Sequence, residues 1–207
     1  MRSRASPPGA APSALRFGAV NRVHNWYCSS DRWARGAEEK LLPWGLKGID
    51  LGDDVLEIGP GFGATSRVLA KRSGQLSILE LEPAYCDHLR AMLGDRADVV
   101  QGDATRMPFE HGRFSGAACF TMLHHIPSPE LQDQLLGEVF RVLRPGGVFA
   151  GTDSIGRGVL FKLFHIGDTL VLVDPDGLPG RLAAAGFEEV RVSTSRQSLR
   201  FRARKPV

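Results

Sequence analysis

Ten residues in the first third of the chain leave few folds open: Val55-Leu56-Glu57-Ile58-Gly59-Pro60-Gly61-Phe62-Gly63-Ala64, an apolar run that passes an acid and ends in glycines at alternate positions. The apolar run reads as a buried strand, and the glycines let the backbone turn sharply and approach a ligand closely. Residues Ala64 to Lys71 read as a helix, whose first amides would face whatever the turn encloses and so favour negative charge. The same alternation continues downstream. Strands are predicted at Asp54 to Ile58, Leu76 to Glu80, Asp98 to Gln101, Phe114 to Phe120 and Val148 to Thr152. A helix is predicted over Pro83 to Leu93, and another opens at Ser128-Pro129 with Leu131, Leu135, Leu136, Val139, Phe140 and Leu143 on one face. Pro145-Gly146-Gly147 stops it. Alternation of this kind builds βαβ units and a parallel sheet.

The flanks read differently. Residues 178 to 185 make a last helix ended by Gly186, and Phe187 to Ser193 with Ser198 to Lys205 read as antiparallel strands. Phe17, Val20, Val23, Trp26 and Tyr27, then Trp33, Ala37, Leu41, Leu42 and Trp44, recur at helical spacing, with Ser29-Ser30-Asp31 as cap between two helices and Pro43 as the second one's end. The expected organisation is a disordered Ser/Pro/Ala/Gly tail over 1–16, a helical lead-in over 17–50 and one α/β domain over 51–207. No apolar run approaches a membrane span, the first residues lack a signal-peptide core, and three cysteines without CxxC spacing indicate neither a disulfide framework nor a zinc cage, so a cytoplasmic protein is expected. The net charge is +3, with 15 basic against 21 acidic residues between 31 and 180 and the excess of arginine at the two ends. Such ends are read as solvated surface rather than as a nucleic-acid footprint.

Taken alone, Gly59-Pro-Gly61-Phe-Gly63-Ala64 also fits a dinucleotide fingerprint, and Glu80, about twenty residues on at the end of the second strand, is placed to accept from ribose hydroxyls in either case. Three further segments discriminate: Glu57 two residues before the first glycine, Gly102-Asp103-Ala104 after the third strand, and Phe120-Thr121-Met122-Leu123-His124-His125-Ile126-Pro127 after the fourth. With Glu138-Val-Phe-Arg-Val-Leu-Arg-Pro-Gly-Gly147, these occur in an order and spacing that resembles class I S-adenosylmethionine-dependent methyltransferases of the small-molecule type, strongly over Asp54 to Thr152 and weakly to Lys205.

That resemblance implies a Rossmann-like, doubly wound seven-stranded sheet, mostly parallel with an antiparallel C-terminal strand, and S-adenosyl-L-methionine as cofactor. It implies that Gly59, Gly61 and Gly63 lie against the cofactor, that Glu57 orients its methionine end, and that Glu80 holds the ribose with Leu81 beside the adenine. Asp103 and the Ala104 amide would bind the adenine edge, and Phe120 and Thr121 would border the methionine. Methyl transfer needs mainly alignment, and where a general base helps, His124 and His125 are the candidates, only one of them expected to reach the pocket.

Asp153, His165 and Asp168 rank below them, and since His165 and Asp168 make only two ligands, no metal is expected. Trp26, Tyr27 and Cys28 are candidate pocket walls. Arg200, Arg202 and Arg204 alternate with Leu199, Phe201 and Ala203, so a solvated arginine face conflicts with an interior place for the last strand. The acceptor is expected to be a small molecule, with no membrane or nucleic-acid partner and a monomer or homodimer as assembly. The alternatives are a cofactor-binding protein without catalysis, an RNA methyltransferase and an NAD(P)-dependent oxidoreductase.

Overall fold

The computed structural model describes residues 21–156, 161, 165–167 and 169–207; the tail over 1–16, Phe17, Val20 and Asp168 lie outside them. Seven strands, β1 (Asp54–Ile58), β2 (Gln75–Glu80), β3 (Asp98–Gln101), β4 (Phe114–Phe120), β5 (Leu143–Ser154), β6 (Glu188–Thr194) and β7 (Ser198–Arg204), form one sheet in the order β3-β2-β1-β4-β5-β7-β6. β1 to β5 are parallel and β7 runs antiparallel between β5 and β6. Strand order reverses between β1 and β4, and Ile58 pairs with Cys119, so the segments leaving these two strands emerge side by side. A crevice opens at such a reversal because the connections depart to opposite faces.

Both faces of the sheet are covered. Leu56, Ile58, Ala117, Cys119 and Phe149 pack toward α6 (Pro129–Val142) and α7 (Leu178–Ala184). Val55, Ile78, Ala118 and Ala150 pack toward α4 (Ser66–Leu69), α5 (Pro83–Leu93) and the lead-in. The period-2 alternation thus sends neighbouring strand residues into two separate cores. α6 starts where expected, Ser128 Oγ accepting from the Leu131 amide at 3.2 Å with Pro129 in the first turn.

Three boundaries differ from expectation for local reasons. The helix expected from Ala64 is regular only from Ser66, because Gly61 and Gly63 hold φ of +57° and +73° and keep the preceding residues in turns. β5 begins at Leu143 rather than Val148, with an irregular register opposite Phe114 and Gly116. The lead-in comprises α1 (Arg22–Cys28), α2 (Asp31–Gly36), a π-helical turn (Ala37–Leu41) and α3 (Leu42–Gly45), so Pro43 does not end the second helix. In the π turn the Leu42 amide bonds to Ala37, five residues back, which shifts the carbonyl register just ahead of the proline that lacks an N–H.

Three separate partners, one of them in the lead-in, account for the arginine face of β7. Arg200 donates to the Trp44 carbonyl at 2.8 Å and stands over its ring, Arg202 pairs with Glu189 at 3.0 Å, and Arg204 donates to the Gly146 carbonyl at 2.7 Å. The three are half-buried rather than fully solvated, each guanidinium group held by a partner.

Candidate active site

A cavity of about 430 Å³ occupies the crevice, lined on one side by Gly59, Pro60, Gly61 and Phe62 and on the other by Phe120, Thr121 and Met122. The glycines have distinct tasks. A Cβ on Gly61 would project into space with nothing within 4 Å, so this position is open to the cavity. On Gly63 it would stand 2.5 Å from Met92 Cε and 2.6 Å from Leu89 Cδ2, which makes Gly63 a packing residue against α5 and not a wall of the cavity. Gly59 lines the cavity and its missing Cβ makes room for the Met122 side chain.

Glu80 ties the glycine turn to β2. Its Oε2 accepts from the Gly61 amide at 3.0 Å, and its Oε1 from the amides of Leu81 and Glu82 at 2.8 and 3.1 Å. Burial raises its pKa against these three amides, which pull it down. Leu81, Asp103 and Ala104 line the same end, and Asp103 Oδ1 accepts from the amide and hydroxyl of Thr105, both at 2.8 Å, which caps the turn and fixes the carboxylate. Glu57 lies behind the glycine turn, fully buried and off the cavity wall. Thr65 Oγ1 donates to its Oε1, while Oε2 and the buried Ser66 hydroxyl make no hydrogen bond of ordinary length. Burial pushes the Glu57 carboxyl up to about 7, with the hydroxyls of Ser66 and Thr65 offsetting part of the shift and Glu80 adding to it.

Beyond β4 the chain turns at Thr121, whose φ of +52° is a strained conformation for a β-branched residue. Strain of this kind concentrates at functional sites, and Thr121 lines the cavity. The two candidate histidines then separate. His124 is buried away from the cavity, its amide donating to Asp153 Oδ2 at 3.1 Å and its Nδ1 bonded to Asp153 Oδ1. His124 and Asp153 therefore join the β4 and β5 ends and do not line the cavity. His125 lines the cavity, and burial together with His124, His24 and His165 lowers its pKa to about 2. Such a ring stays neutral yet is a weak proton acceptor near neutrality.

Sequence reasoning expected a wall from the lead-in but missed His24 and Asn25 in it. His24, Asn25 and Cys28 of α1 line the cavity, and Tyr85 of α5 donates to Asn25 Oδ1 at 2.6 Å, joining the lead-in to α5. His24 and Cys28, four residues apart on one helix face, were the available signal. Of the expected wall residues Cys28 is in place, Tyr27 packs on Trp33, and Trp26 points outward with 72% of its surface exposed.

The site accommodates an adenosyl cofactor on three counts: a backbone cradle at Gly61 that a Cβ would fill, carboxylates of Glu80 and Asp103 at one end, and the buried Glu57 oxygen without a hydrogen-bond partner behind the turn. Fold and site together define a class I methyltransferase architecture, in which a nucleoside cofactor sits at the reversal of a sheet whose last strand is inserted antiparallel. The sequence model of the methyltransferase domain family matches residues 55–147. A Mycolicibacterium smegmatis protein named a probable S-adenosylmethionine-dependent methyltransferase is 32% identical over 188 residues, 88% of this chain and 69% of that protein. The chain belongs to the S-adenosylmethionine-dependent methyltransferase family.

It is also 34% identical to sterol methyltransferase-like 3 of Botryococcus braunii over 61% of this chain, an alignment that spans about a third (34%) of the relative's length. Among solved structures, phosphoethanolamine N-methyltransferase 2 of Haemonchus contortus in complex with S-adenosyl-L-methionine shares the fold with a TM-score of 0.72 at 16% identity, over 94% of this chain and 61% of that one. No helix among the described residues is long and apolar enough to cross a membrane.

Proposed function

We propose that this chain transfers the methyl group of S-adenosylmethionine to a nucleophilic atom of a small-molecule acceptor. The observation that carries the reading is the buried Glu80 carboxylate, held by the glycine-turn amide of Gly61 at the edge of a cavity large enough for a nucleoside. The three amides on Glu80 leave acceptor capacity for a hydroxyl from the cavity, and Asp103 and the Ala104 amide stand where an adenine edge would meet them. Glu57 would meet the ammonium end from behind the turn, and Phe120 and Thr121 would flank it. When bound, the cofactor supplies a methyl group already activated on a sulfonium.

What this chain adds is alignment and the exclusion of water. Holding an acceptor in line between β4 and α1 is worth on the order of 7 to 11 kcal/mol of the barrier. The acceptor end of the cavity would be bounded by Met122, His125 and Ile126 on one side and by His24, Asn25 and Cys28 on the other. A small acceptor is consistent with the sterol and phosphoethanolamine methyltransferases among its relatives and fold neighbours. Buried thiols at Cys86 and Cys119, both with raised pKa, suit the reducing cytoplasm.

Calorimetric titration of the pure chain with S-adenosylmethionine and its demethylated product, beside NADH, tests the reading. Micromolar binding of both sulfur nucleotides that Glu80→Ala weakens roughly 100-fold, followed by release of the demethylated product in an acceptor screen, is the expected result. Preference for NADH, or binding without turnover of any acceptor or slow cofactor hydrolysis, overturns it.

A further inference from the structure

Three imidazoles from distant parts of the chain meet at the acceptor end of the cavity: His24 from α1, His125 from the segment after β4, and His165 from the connection between β5 and α7. One ring nitrogen from each lies within 4.8 Å of those of the other two. The ring centroids stand 4.7 Å apart for His24 and His165, 5.3 Å for His24 and His125, and 5.8 Å for His125 and His165. His24 and His165 are buried, and His24 and His125 line the cavity.

We propose that His24, His125 and His165 bind one divalent transition-metal ion, zinc first, in the wall between the cavity and the His165 segment. Bonds of about 2.0–2.1 Å to tetrahedral zinc put ligand nitrogens roughly 3.4 Å apart, so small side-chain rotations from the observed spacing close the site. Three histidines with a fourth position open are a set that suits catalytic zinc, and imidazole without carboxylate or thiolate suits zinc better than calcium or magnesium.

Two surrounding features favour ligation over ordinary packing. His165 Nδ1 donates to the Phe161 carbonyl at 2.8 Å, which in the neutral ring assigns the lone pair to Nε2; metal-bound histidines are oriented in this way. The His124 ring, its centroid 4.2 Å from that of His125, is bonded to Asp153, so the backbone carrying His125 is held from both the β4 and β5 ends.

The trio adds no negative charge, so a dication bound there keeps its full charge beside a cavity that two of its three ligands line. On the methyl-transfer reading, with which this part stands or falls, the acceptor is then a thiol or an acidic hydroxyl. Its S–H or O–H proton is lost to solvent on metal binding, its lone pair forms the new bond to the methyl carbon, and the electrons of the breaking carbon–sulfonium bond return to sulfur, which leaves as a neutral thioether. The metal site itself is independent of that reading.

The test uses the full chain stripped with a chelator and titrated with zinc by calorimetry and with cobalt(II) by visible absorption, with S-adenosylmethionine binding measured on the same samples. One equivalent of zinc, a tetrahedral cobalt spectrum, and loss of affinity on the order of 100-fold or more in His24→Ala, His125→Ala and His165→Ala, with His111→Ala unchanged, are expected. Because an alanine could loosen the fold, His165→Cys, which supplies another zinc ligand, should restore zinc binding and the zinc-dependent rise in melting temperature. No stoichiometric binding, or binding that the trio variants leave intact, overturns the proposal whether or not the cofactor binds. Zinc held by the trio in a chain that does not bind S-adenosylmethionine keeps the metal site and removes the methyl-transfer reading.

Discussion

At one end of the cavity, Glu80 closes β2 and Gly59, Gly61, Asp103 and Ala104 lie within three residues of the ends of β1 and β3, and hydrogen bonds from backbone amides fix the Glu80 carboxylate. At the other, His24, His125 and His165 come from a lead-in helix, a turn after β4 and a long connection, and side chains make the arrangement. The first end is specified by short segments whose geometry the sheet imposes, so its residues are recognisable wherever the pattern occurs. The second depends on how the lead-in seats against the sheet, with Tyr85 and Asn25 joined at 2.6 Å as one of its fastenings.

The contrast can be broken or sharpened by substitution. The largest effect should separate the neighbouring histidines: His124→Ala leaves Asp153 buried without its imidazole partner and should cost about 3 kcal/mol or more in denaturant unfolding. His125→Ala, at the cavity wall, should cost less than half as much, and equal losses would mean that both histidines serve the fold alone. Glu80→Ala should weaken S-adenosylmethionine binding roughly 100-fold by calorimetry while leaving zinc uptake unchanged, since hydrogen bonds to a charged group are worth about 1.5–3 kcal/mol. Loss of both would show that the two ends are one unit.

Glu57, behind the glycine turn, gives a pH signature of its own. Its folded pKa of about 7 lies above the ordinary carboxyl value of 4.5, so the folded state holds the extra proton between the two. The contribution is therefore fully present below pH 4.5 and falls as pH rises through 7, by about 2 kcal/mol between pH 5 and 8, and Glu57→Gln should flatten that slope in pH-dependent unfolding. Gly63→Ala should destabilise by about 1–2 kcal/mol, from the left-handed backbone and the approach to Met92 and Leu89, without a matching loss of intrinsic cofactor affinity. The smallest effect belongs to Trp26→Ala, which should stay within about 0.5 kcal/mol because the ring is mostly exposed.

The sequence by itself determined the parallel α/β core, the strand spans from Asp54 to Phe120, the capped start of α6 and the cofactor family, because strand alternation, glycine turns and caps act over a few residues. Tertiary structure alone decided that Gly63 packs while Gly61 opens, that His124 turns to Asp153 while His125 faces the cavity, and that Arg200 of β7 meets Trp44 of α3. It alone brought His24 and His125 to His165, where the sequence had offered only His165 with Asp168. The physical reason is range: backbone patterns are set by neighbours in the chain, whereas a constellation of side chains separated by 40 to 141 positions exists only once the sheet has ordered the segments that carry them.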